Sequence, residues 1–195
     1  MSSPSASSRK IIQIGFNKCA TRSISFFLKR HGLTTADWMH GDLAKNIRES
    51  VETGEVPLAA WPDVQVFSDM EYVHARHMAE GYRYFRELHA AYPDALFILN
   101  TRNVEGWIRS RHKHGDGAYT SSYRRYYGYK SDAEVWDRWR LEWFRHHLAV
   151  LEYFSGPLRE QLFVWDIEAP DWAELEARLG FPVDANKWSV RGKTE

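Results

Sequence analysis

Lys18, Thr21, Arg22 and Ser23 fall within six consecutive residues, and their side chains suit one task, the holding of an oxyanion. Ile11, Ile12 and Ile14 form a short β-branched run before them, and Gly15 breaks that run. Ile24, Phe27 and Leu28 then recur at helical spacing. The stretch therefore reads as a buried strand, a tight loop and a helix start. Backbone N–H groups at a helix N-terminus favour an anion, and an ammonium and hydroxyls aimed at the same point favour it further. The loop predicts a bound phosphate or sulfate.

A nucleoside triphosphatase loop would read G-x-x-x-x-G-K-[ST], with the magnesium-binding hydroxyl directly after the lysine. Counting from Gly15, the seventh position is Thr21 and the eighth is Arg22, while the lysine stands earlier, at Lys18. A loop of form Lys-x-(Gly/Ala)-Thr-x-Ser instead resembles the 5′-phosphosulfate loop of sulfotransferases, which take 3′-phosphoadenosine 5′-phosphosulfate (PAPS) and need no metal. Two departures stand out: Ala20 occupies the usual glycine position, and Arg22 replaces a second hydroxyl. Further on, the apolar run Ala95–Asn100 leads into Arg102, and Ser110 follows eight positions later. Sulfotransferases hold the 3′-phosphate of PAPS with an arginine and a serine so spaced, and the planar guanidinium fork matches phosphate bidentately. The resemblance covers roughly residues 10 to 185 and is to the small bacterial-type families. It implies a cofactor-binding set of Asn17, Lys18, Cys19, Ala20, Thr21, Arg22, Ser23, Arg102 and Ser110, with PAP as product and no metal.

Sulfuryl transfer is an in-line displacement, so the protein positions the groups and neutralises charge. The resemblance makes Lys18 the electrophile that meets charge on the leaving 5′-phosphate, and it places a general base between the two motifs. That segment offers Asp69, Glu71, His74 and His77. Asp69 is the first choice because it closes the Val64–Ser68 run at the ligand edge; capping a following helix is its ordinary structural alternative. Glu71 suits either job, and His74 and His77 are expected on a helix. Cys19 lies in a positive loop that would depress a thiol pKa, although a small loop-filling residue is the simpler reading.

Alternating strands and helices predict an α/β fold, three layers with a central parallel sheet flanked by helices, P-loop-like in form. The expected strands are Ile11–Ile14, Gly32–Trp38, Val64–Asp69, Leu96–Asn100 and Gln161–Trp165. The expected helices follow the first loop, then cover Leu43–Val51, a long Tyr72–Tyr92 with Met78, Tyr82, Phe85, Leu88 and Tyr92 on one face, Ala133–Phe154, and Trp172–Leu179. In Ala133–Phe154 the residues Trp136, Trp139, Trp143, Leu148, Leu151 and Phe154 recur as core or lid packing. The glycine-punctuated, tyrosine-rich stretch 112–130 reads as a lid loop whose tyrosine stacks on adenine. Ligands in such sheets bind beyond the strand carboxyl ends, where Lys18, Asp69 and Arg102 all fall.

The chain has 195 residues, which suits a single domain from residue 10 onward after a Ser-rich tail over residues 1–9. Its 26 basic and 26 acidic side chains leave no net field toward nucleic acid or membranes, so an anion site needs local clustering. One cysteine precludes an internal disulfide and fits a cytoplasmic setting. A small-molecule acceptor is the expected partner. The rivals are a nucleotide or small-molecule kinase, which the missing G-K-[ST] disfavours, and a sulfotransferase-like protein that binds without turnover. Basic residues interleaved with aromatics in 112–130 also suit single-stranded nucleic acid, behind the lid reading. The tail residues Arg191 and Lys193 bear a weak likeness to a basic segment that contacts the 3′-phosphate.

Overall fold

The structure, a computed structural model, describes residues 9–191. The Ser-rich residues 1–8 and Lys193 lie outside that range. Five strands form one parallel sheet: β1 (Ile11–Gln13), β2 (Thr35–Asp37), β3 (Val66–Ser68), β6 (Leu96–Thr101) and β7 (Leu162–Asp166). Their order is β2-β3-β1-β6-β7. The central strand pairs Ile12 with Phe67 on one side and Phe97 on the other. Such a strand is covered on both faces, which is why Ile11 and Ile12 stand side by side without polar alternation and even Gln13 is buried.

Ile11 and Ile12 point to opposite faces and nucleate two cores. On one face Ile11, Ile98 and Phe163 meet α1 (Thr21–Arg30) through Ile24, Phe27 and Leu28, and α7 (Trp172–Leu179) through Leu175. On the other, Ile12, Phe67 and Leu99 meet α2 (Asp42–Thr53), α3 (Phe85–Ala91) and α6 (Asp132–Tyr153) through Ile47, Leu88 and Val150. This is the expected three-layer arrangement. Because β1 has β3 and β6 as neighbours, the chain departs from it in both directions, and a crevice opens at its carboxyl end. Among the described residues no helix is long and apolar enough to cross a membrane.

Three expectations are corrected. The long helix over Tyr72–Tyr92 is instead an antiparallel hairpin, β4 (Glu71–His74) with β5 (His77–Glu80), then a 3-10 turn at Gly81–Tyr84 and the short α3. Helical spacing from Met78 onward is genuine packing periodicity, but Gly81 interrupts it. Its N–H donates to Met70 O at 2.8 Å and ties off the hairpin. The tyrosine-rich stretch is not a loop: α5 (Ala118–Tyr127) runs through it, capped by glycines at both ends, and buries Tyr123. In α6 the tryptophans 139 and 143 are buried, but Leu148 and Leu151 are exposed.

A candidate oxyanion site at the strand carboxyl ends

Gly15 ends β1 where its backbone meets β6. A Cβ there would lie 2.2 Å from Asn100 Oδ1, so only glycine lets the two strand ends close up. Asn100 exploits that contact: its Nδ2 donates to Phe16 O at 3.1 Å and Cys19 O at 2.8 Å. Trp107 Nε1 donates to Asn17 O at 2.9 Å, and Arg102 Nη1 to Lys18 O at 3.4 Å. Four successive loop carbonyls are thus held by side chains of β6, its following turn and α4 (Val104–His112). In a trans peptide the next N–H points the opposite way, so the loop turns its donor edge outward from these anchors. Asn17 is fixed once more, its Nδ2 donating to Tyr119 Oη at 2.7 Å.

The helix that follows begins at Thr21, which is buried, with Ala20 before it in the left-handed region at φ 59°. Lys18 is half-buried. Burial lowers its ammonium below the usual value, with Arg22 and Arg102 pushing the same way and Asp69 opposing them. These four charged groups therefore share one neighbourhood. Arg102 is anchored by Glu168, Nη2 to Oε1 at 3.2 Å, and its Nε is buried with no hydrogen-bond partner. Ser110 stands half-buried on α4. Ser23 is buried, and its Oγ accepts from Arg191 N at 2.8 Å, so the chain's last described residue reaches the helix start. Cys19 is wholly buried and its thiol is pushed far up by burial, which removes it as a nucleophile.

Asp69 follows β3 at φ 53°. Burial pushes its carboxyl up to about 7, with Asp37 and Glu71 adding to the effect and Arg22 and Lys18 opposing it. Asp37 ends the neighbouring strand, and its Oδ1 accepts from Ser68 Oγ at 2.9 Å. Asp69 caps no helix at Tyr72, because none is there. Glu71 is turned away into a buried ion pair with Arg111, joined by Tyr123 Oη at 3.0 Å. His74 and His77 are exposed and cross-strand partners at the hairpin tip. Of the four acid–base candidates, only Asp69 lies beside Lys18.

Backbone strain gathers here. Six of the eight non-glycine residues with positive φ among those described follow β1, β2 or β3: Lys18, Ala20, Trp38, Met39, His40 and Asp69. Such conformations cost free energy and concentrate where function overdetermines the backbone. Sequence reasoning missed Asn100, Trp107 and Tyr119, whose roles are contacts to loop carbonyls and amides that no local spacing encodes. Asp37 was readable in principle as a polar strand end. A family model described as "Sulfotransferase domain" matches residues 10–143. No curated protein matches the chain at a significant level.

Proposed function

The chain belongs to the sulfotransferase domain family, and from that premise we propose that it moves a sulfuryl group from PAPS to a hydroxyl or amine of a small-molecule acceptor. The observation that supports this reading best is the common neighbourhood of Lys18, Arg22, Arg102 and Asp69 at the ends of β1, β3 and β6. The cations match the donor's oxyanions, and the carboxylate matches the acceptor's proton. The unpartnered Arg102 Nε, together with Ser110, suits the 3′-phosphate.

Asp69 takes the proton from the acceptor as the acceptor's oxygen or nitrogen forms its bond to sulfur. The bond from sulfur to the 5′-phosphate oxygen breaks, and Lys18 meets the charge left on that oxygen. Arg22, Thr21 and the outward N–H edge of residues 17–20 hold the non-bridging oxygens throughout. Charge on the leaving oxygen exists chiefly in the transition state, so Lys18 contributes to turnover more than to binding.

Calorimetry with PAP, AMP and ATP–magnesium tests the donor. PAP is expected to bind at least tenfold more tightly than AMP, with Arg102→Ala erasing the difference; tighter binding of ATP–magnesium would instead favour the kinase. Lys18→Ala is expected to keep most of the PAP affinity and lose turnover, whereas Arg102→Ala shows the opposite split. Equal loss of affinity in both variants, with turnover at saturation intact, would sink these roles.

A further inference from the structure

Trp38, Met39 and His40 hold positive φ values of 56°, 48° and 56°, and Gly41 follows at 85° directly after β2; with ψ at −53° Trp38 has the strained backbone of a γ-turn, whereas His40, with ψ at 25°, is left-handed. L-residues avoid positive φ at a cost on the order of 1–3 kcal/mol each, so three in a row persist only because neighbours impose it. Trp38 N donates to Ser68 O at 3.1 Å, Gly41 N to Trp38 O at 2.9 Å, and the Tyr72 ring packs where a Gly41 side chain would be. The result is an indole 44% exposed and a thioether 36% exposed at the end of a strand whose other surface is core. The β2–β3 ladder ends at Asp37↔Ser68, and the bond from Trp38 N to Ser68 O brings the Trp38 backbone against the peptide that leads into Asp69. A strained turn that holds a tryptophan out to solvent beside the proton acceptor is a platform for a planar apolar group.

Resting on the function proposed above, we propose that the acceptor is an aromatic alcohol or phenol whose ring lies against Trp38 and Met39 while its hydroxyl reaches Asp69. Ring stacking and sulfur–aromatic contact favour such a ligand over a saturated one of equal size. The test uses PAP-saturated protein titrated with 2-naphthol and with decahydro-2-naphthol. Naphthol is expected to bind about tenfold more tightly; Trp38→Ala removes that preference and Trp38→Phe keeps most of it, while all three proteins bind PAP alike. Equal binding of the two alcohols, or a preference that survives Trp38→Ala, overturns the aromatic platform and leaves the donor site standing. Failure to bind PAP overturns both readings.

A second observation concerns α6. Leu141, Phe144, Leu148 and Leu151 are 46–59% exposed and recur at alternating spacings of three and four, the seam spacing of paired helices. Arg145 and Glu152 flank this stripe on the same side, exposed, and neither forms an ion pair among the described residues. A two-fold axis passing near Leu148 sets Arg145 of each copy beside Glu152 of the other. The geometry points to a homodimer built on α6 packed antiparallel against its own copy. Sedimentation equilibrium is expected to give twice the chain mass for the wild type and the single mass for Leu148→Glu, with unchanged circular dichroism. Arg145→Glu is expected to weaken the dimer at least tenfold, and adding Glu152→Arg to restore it. A monomeric wild type, or a dimer indifferent to Leu148→Glu and to the charge swap, refutes the interface.

Discussion

Asp69 owes its raised pKa to burial beside two other carboxyls, and the sign of that shift fixes two pH dependences. In the proposed role of base it works only when ionised, so turnover should rise with pH and reach half its maximum near pH 7. Asp69→Asn should lower turnover by roughly 10²-fold and flatten the profile, most severely for high-pKa alcohols. Stability runs the other way. The folded protein keeps a proton on Asp69 between about pH 4 and 7 that the unfolded chain releases. Its contribution is therefore full at low pH and lost as pH rises through about 7. Thermal melts from pH 4 to 8 should show Asp69→Asn gaining on the wild type with rising pH; parallel curves would place the carboxyl in an ordinary environment. Ala20 presents a separate case. It pays the left-handed penalty at φ 59°, so Ala20→Gly should stabilise the fold by about 0.5–1 kcal/mol once the extra entropy of unfolded glycine is deducted. A denaturant midpoint at or below wild type would show that the loop relaxes in solution.

At the scale of elements, the hairpin and α5 act on the site through one buried arginine. Arg111 is fully buried, with Trp107, Tyr119, Tyr123 and Trp139 rings 4.9–5.0 Å from its guanidinium. It holds Glu71 of β4 and contacts Tyr119, whose hydroxyl in turn receives Asn17 of the loop. Tyr119→Phe removes the hydroxyl that accepts from Asn17 and, at longer range, from Arg111. It should cost about 1 kcal/mol in stability and weaken PAP binding severalfold; PAP affinity equal to wild type would make the link structural only. Glu71→Gln removes one partner of a buried ion pair and should cost about 3–5 kcal/mol. This network also explains which elements were legible beforehand. Strands β1, β3, β6 and β7 and helix α7 announce themselves by local apolar runs and periodicity, which also place Arg102 just after a strand and Ser110 on the helix that follows. The β4–β5 hairpin does not, because Glu71 is fixed in extended backbone by Arg111 forty residues away, a contact with no local signature. The 112–130 stretch misled for a related reason. Its glycines look like loop punctuation, yet Gly117 and Gly128 are left-handed caps at the two ends of a helix.

Across the whole molecule, the family match ends at residue 143, while β7, α7 and the closing segment lie beyond it. These parts nevertheless return to the loop. Glu168 after β7 receives Arg102, and the segment after α7 crosses α1 from its end to its start. Arg30 Nη1 donates to Lys187 O at 2.9 Å, and Trp188 packs among Phe27, Trp165 and Trp172. Arg191 then donates to Ser23 and lays its guanidinium 4.0 Å from the Phe26 ring. A chain with equal numbers of acidic and basic residues has no net charge to draw an anionic donor in, so each cation placed beside the loop counts. Two changes separate the strap's stability from its charge. Trp188→Ala should cost about 2 kcal/mol, because the indole is half-buried, and should also weaken PAP binding by freeing Arg191. Ending the chain after Ser189 should leave the melting temperature within a degree or two while lowering PAP affinity severalfold, and added salt should shrink the deficit because the lost contribution is a screened charge. If the shortened chain binds PAP as the full one does, the strap serves only to cover α1.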